Sequence, residues 1–159
     1  MAKKIILKSR PEAVYYTMIG ISCHLMDYRF LHMLNKELGS GFSREEDLVI
    51  NSPVTKEEVT YSLFSYRDED HRNSFYLISN YSEDHLLIQE FRNTDFIMLI
   101  EGDFKKQRKD ALLMAIRKIS SVLTAFEINI RDIKTLESFL TDLEMHITTI
   151  RKDNRQKTK

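Results

Sequence analysis

Cys23 and His24 set a thiol beside an imidazole, the two groups that a base-activated cysteine nucleophile requires. Neighbours in an extended segment point to opposite faces, so the pair reads instead as a small buried Cys at a strand end with a separate His. His24, Asp27 and His32 are metal-ligand types. On a helix, however, Asp27 lies far round from His32, and an Asp27 cap with solvated histidines accounts for them better. Asp68-Glu69-Asp70-His71 gathers cation ligands but lacks the Gly and spaced oxygens of a calcium loop, so it reads as a solvated hairpin tip. Glu90 and Asp95 would suit acid–base work if both were desolvated in one cleft. Turn capping by Asp95 and an exposed Glu90 is the simpler reading. Tyr61, Tyr66, Tyr76 and Tyr81 could stack bases, but aromatic packing within a sheet explains them as well. With only four glycines there is no phosphate-cradling loop. No catalytic, cofactor-binding or metal-ligating residue is assigned, and no cofactor is expected.

The bulk composition narrows the class further. A chain of 159 residues fits one domain, large enough to bury roughly 70% of its unfolded surface. Basic and acidic residues balance at 24 each, but unevenly: Arg151–Lys159 carries five basic residues and one acid, a surplus of +4, leaving −4 on residues 1–150. A body of that sign gives no electrostatic reason to expect nucleic acid. The lone Cys23 excludes an internal disulfide and points to a reducing compartment. Ile5-Ile6-Leu7 is too short for a signal-peptide core, and no run approaches the ~20 apolar residues of a membrane span. A cytoplasmic protein is expected.

These residues must be positioned by strands and helices that the pattern predicts. Val14–Ser22 is apolar on both alternating faces and reads as an inner strand, with Gly20 marking a bulge or a close backbone approach. A helix is predicted over Leu25–Leu38, stopped by Gly39-Ser40-Gly41. Its apolar arc holds Met26, Phe30, Leu31, Met33, Leu34 and Leu38, while Arg29, His32, Asn35 and Lys36 lie opposite and Tyr28 at the margin. Phe42–Pro53 reads as a turn and a short edge strand, with a break at Pro53. Three more strands follow over Val59–Leu63, Phe75–Tyr81 and His85–Phe91, an antiparallel meander whose first loop is Arg67–Asn73. Asp95–Glu101 is apolar on both faces and belongs near the sheet centre. A helix over Lys106–Ser121, with Leu112, Ala115, Ile116, Ile119 and Leu123 on one face and Lys109 off it, joins that strand to Thr124–Ile130. A helical crossover returns the chain in the same direction, so these two strands should be parallel. The expected fold is α+β: a largely antiparallel meander, a terminal strand–helix–strand unit similar to half of a ferredoxin-like domain, and a C-terminal helix. Residues 1–150 form the single domain and 151–159 a flexible basic tail.

The last helix, Asp132–Ile150, carries Ile133, Leu136, Leu140, Leu143, Ile147 and Ile150 at alternating intervals of three and four. That is the narrow seam of a coiled coil, over about two and a half heptads. Either it docks on its own sheet or it meets another chain.

One stretch, Ile88-Gln89-Glu90 followed after three residues by Thr94-Asp95-Phe96, resembles the signature of the IPExxxVDY family of small bacterial proteins. Gln89 stands where the family has Pro, Thr94 for Val and Phe96 for Tyr. Gly20-Ile21-Ser22, Asp27-Tyr28-Arg29, Leu34-Asn35-Lys36 and Ala125-Phe126-Glu127 extend the resemblance over Tyr15–Ile130. It singles out Ile88, Glu90, Asp95 and Phe96 as motif residues and implies no activity. Gln89, unlike Pro, can donate to a strand ladder.

The expectation is a non-enzymatic domain that acts through protein association as a homodimer or with a protein partner. Its candidate interface is Met26, Phe30 and Met33 on the first helix with the seam of the last. The alternative is a small-molecule-binding regulatory domain of ferredoxin-like type, with Tyr28, Arg29 and His32 facing the ligand.

Overall fold

All eight residues of β1 (Tyr16–Cys23) are buried, as an apolar run without polar alternation demands when both faces are covered. The computed structural model, which describes residues 15–51 and 56–157, shows what covers them. β1 lies inside a six-stranded sheet of order β10-β1-β9-β6-β5-β2. The other strands are β2 (Ser43–Arg44), β5 (Leu63–Asp68), β6 (Asn73–Ser79), β9 (Phe96–Glu101) and β10 (Val122–Ile128). Every neighbouring pair is antiparallel. Two small hairpins stand apart: β3 (Leu48–Asn51) with β4 (Glu58–Tyr61), and β7 (Tyr81–Ser82) with β8 (His85–Leu86). The Ile5–Leu7 run and Pro53 lie outside the described residues.

The period-two alternation of the strands divides the core into two layers. Ile19, Ile21, Leu77, Met98 and Ile100 face α1 (Asp27–Leu38) and α2 (Lys106–Arg117), where Phe30, Leu34, Leu113 and Ile116 meet them. Met18, Tyr76, Ile78, Ile97 and Leu99 face the other way, onto α3 (Leu136–Lys157). The seam of α3 is therefore not an intermolecular surface. Ile133, Leu136, Leu140, Leu143, Ile147 and Ile150 are all buried within this one chain, because the sheet face opposite α1 and α2 is apolar and needs a cover. Phe30, also expected at an interface, is buried in the α1–α2 layer.

β9 and β10 run in the same direction, as expected of strands joined by a helical crossover, but β1 lies between them. β1 and β6 bear the same relation across β9. Taken alone, β1-α1-β6-β9-α2-β10 is a complete interleaved pair of split β-α-β units, the ferredoxin-like arrangement, of which the sequence pattern had disclosed one half. The chain is thus an α+β protein with a mostly antiparallel sheet and a C-terminal helix.

Several local expectations need correction. The strand predicted over Val59–Leu63 breaks at Ser62, where the chain leaves the small β3–β4 sheet and enters the main one. The predicted strand His85–Phe91 ends at Leu86, since the buried Asn80 holds the following residues in turns. α2 stops at Arg117, so Leu123 belongs to β10 and is exposed. Lys109, placed off the apolar face, is buried with its ammonium 3.0 Å from Glu127 on β10. α3 begins four residues later than predicted, after a single 3-10 turn at Ile130–Asp132, and continues through Arg151–Lys157, read as a flexible tail. Basic residues suit the negative end of the helix dipole, which favours that extension. Gly20 does mark a close approach: a Cβ there would meet Phe126 Cζ at 2.8 Å, whereas the register shift falls at Ser22–Cys23. Gly39 ends α1 with φ 61°, a left-handed cap that favours glycine.

Candidate functional site

The chemistry-bearing residues separate once the elements are in place. Cys23 is buried at the end of β1; its thiol contacts Ser121 Oγ at 3.5 Å, not the exposed His24. Asp27 does not cap α1. Met26 occupies that position without a side-chain bond, and Asp27 sits in the first turn, where its charge suits the dipole. Among the described residues no group of His, Cys, Asp and Glu could hold a metal ion. Nor is any described helix long and apolar enough to cross a membrane.

Glu90 and Asp95 serve different partners. Asp95 Oδ2 accepts from Cys23 N at 2.8 Å and ties down the end of β1, while Glu90 Oε2 accepts from Lys134 N at 3.3 Å. Ile88 and Phe96 are core residues. The organiser of this segment is Asn80, which the sequence reading missed. Its side chain donates to Phe91 O at 3.0 Å and Thr94 O at 2.8 Å and accepts from Ile88 N at 2.8 Å. Gln89 joins no ladder; its side chain donates to Leu86 O. An Asn closing an apolar strand before a polar turn was the available signal. The four tyrosines do not share a face either. Tyr61 and Tyr76 lie under α3, Tyr66 packs in the other layer and Tyr81 is exposed. Burial raises the Tyr61 and Tyr76 phenols above their ordinary range, for Tyr76 with Glu101 adding to the effect.

At the β5–β6 hairpin tip, Asp68 Oδ2 meets His71 Nδ1 at 3.0 Å and Arg108 Nη2 at 3.1 Å. Burial alone would raise the Asp68 carboxyl. The His71 backbone N–H and ring, together with Arg108, outweigh it and hold the group below the usual carboxylate range. Arg108 also donates to Asn73 Oδ1, and Asn73 donates to Glu101 O and Asp103 O. The tip is thus latched to the first turn of α2. That turn contains no acid, and a basic residue there is unfavourable to the dipole unless paired, which was the sequence signal for Arg108.

One surface does collect expected residues. Tyr28, Arg29 and His32 are exposed on α1 and line an open depression with Leu25 and Met33. It lies on the outer side of the helix, not between helix and sheet. Met26 is 68% exposed and Tyr28 66% exposed, and Leu25 and Met33 are half-buried. Asp27 stands in the first turn of the helix and Lys36 in the last. No family model matches the chain, and no curated protein matches it.

Proposed function

We propose that this chain is a non-enzymatic cytoplasmic association domain that pairs with a second copy of itself through the outer stripe of α1. The observation that carries this reading is the apolar surface left on one helix. Met26 and Tyr28 are two-thirds exposed beside Leu25 and Met33, although α3 has already covered the sheet's second face. Self-pairing is argued from helix polarity. A two-fold axis through the middle of α1 would align two antiparallel helices and oppose their dipoles. One helix pair is smaller than the ~1,600 Å² interface of stable complexes, so the expected Kd is micromolar. Within the same reading the chain stands beside the IPExxxVDY family, with Ile88, Glu90 and Asp95 as loop-building residues.

Sedimentation equilibrium across the micromolar range tests this. A dimer is expected, and it is lost in the Tyr28→Glu/Met33→Glu variant. A monomer at every concentration, or a dimer that the double variant leaves intact, rejects self-association through this stripe.

A further inference from the structure

The main sheet ends in two different ways. At one edge lies β2, only two residues long and too short a template for another strand. At the other lies β10, seven residues with neither proline nor lysine among them. We propose that Arg117 is a built-in block on this second edge, which keeps β10 from pairing with the β10 of a second copy.

The direction of the edge groups follows from the ladder. In an antiparallel strand the N–H and C=O of one residue point to the same side, and that side alternates along the chain. Tyr15 O accepts from Gly102 N, and Ile21 O from Asp95 N, so the odd-numbered residues of β1 face β9. The even-numbered Met18, Gly20 and Ser22 therefore bond their β10 partners Ile128, Phe126 and Thr124. Ala125 and Glu127 are left with both backbone groups turned to the open edge. The pairing slips at Ser22–Cys23, so the regular part of β10 starts at Thr124.

These outward groups are self-complementary. A two-fold axis through Phe126 would set Ala125 against the second copy's Glu127, and Glu127 against its Ala125, each pair exchanging two N–H···O bonds. Arg117 prevents this. From the last residue of α2 its Nε and Nη2 donate to Ala125 O at 2.9 and 2.7 Å. A charged fork thus occupies the acceptor that the second copy's Glu127 N–H would need, and the two-fold repeats the block in both copies. Glu127 cannot guard the edge in its place, because its carboxylate is held by Lys109 of α2 at 3.0 Å. Arg117 is exposed, so a substitution there removes its hold on the edge and little packing. The block does not depend on how α1 associates.

The test uses the full chain in the Tyr28→Glu/Met33→Glu background, where pairing through α1 does not contribute. Sedimentation equilibrium to about 1 mM reads association, and amide exchange of the ¹⁵N-labelled chain reads the edge. With Arg117 in place the chain should stay monomeric, with the Ala125 and Glu127 amides exchanging faster than that of Phe126. Arg117→Met keeps the stem and removes the donors. It should produce a dimer with a Kd between about 10 μM and 1 mM and slow exchange at Ala125 and Glu127 at least about tenfold. Arg117→Ala should do the same. The proposal is overturned if both variants stay monomeric, if they associate while Ala125 and Glu127 exchange as before, or if the chain with Arg117 intact pairs equally well.

Discussion

Leu140→Ala separates a helix that completes its own core from one that joins two chains. Leu140 is fully buried within the layer between α3 and the sheet. Truncation to Ala removes about two to three methylene equivalents at ~0.8 kcal/mol each and leaves a cavity that a packed sheet closes only in part. A loss of about 3 kcal/mol follows. For a chain of this length that corresponds to a fall in Tm of about 6–12 °C, or to a urea midpoint lower by about 1.5 M at a slope near 2 kcal/mol/M. The assay is urea unfolding of parent and variant by circular dichroism at two protein concentrations differing by about fiftyfold. Met145→Ala, one turn along but 65% exposed, is the control and should change stability by less than about 0.5 kcal/mol. If α3 docks in cis, the gap between parent and Leu140→Ala is the same at both concentrations. A gap that widens with concentration, or one no larger than the control's, would refute the assignment of α3 to the core of its own chain.

Four further outcomes are expected. Gly20→Ala forces a methyl against Phe126 Cζ at 2.8 Å and Ile128 Cδ1 at 3.1 Å and should cost about 1–3 kcal/mol by thermal unfolding. Glu127→Ala strands the buried Lys109 ammonium; because Glu127 is itself 33% exposed, the loss should be about 2 kcal/mol rather than the ~3–5 of a fully buried pair, and Lys109→Met in the same background should recover most of it. Asn80→Ala orphans Ile88 N–H and two carbonyls, with a loss of about 2–4 kcal/mol and faster amide exchange confined to residues 87–95. The Asp68 latch has its carboxyl held low in the folded state, so its contribution is present above the unfolded value near 3.8 and disappears as pH falls through the folded one. In acid, exchange at the β5–β6 tip should rise relative to the core, and Asp68→Asn should abolish that difference.

The elements legible in the sequence were those whose pattern reports local burial. The apolar runs read over Val14–Ser22 and Asp95–Glu101 disclosed the inner strands observed at Tyr16–Cys23 and Phe96–Glu101, and Gly39 disclosed the end of α1. Strand order was not legible, because β1 pairs with β9 and β10 across distances that no local pattern encodes. The α3 seam was read correctly as a narrow apolar stripe, but a stripe has the same spacing whether it meets a sheet or another helix. Lys109 was misplaced for a different reason: a long aliphatic stem can bury itself when a carboxylate such as Glu127 meets its head. At the candidate site Tyr28, Arg29 and His32 were found together on one surface. Arg108 and Asn73 were missed because their partners come from distant parts of the chain.

The position of β1 also bears on how the chain is made. It is the first of the described strands to leave the ribosome, yet both strands that flank it lie between Phe96 and Ile128. At roughly 5–20 residues per second, the gap between its synthesis and theirs is on the order of ten seconds. Throughout that interval a mostly apolar segment has neither edge satisfied. Nascent chains should therefore depend on a holding chaperone for β1, and refolding from denaturant should be slow, governed by closure of that long loop.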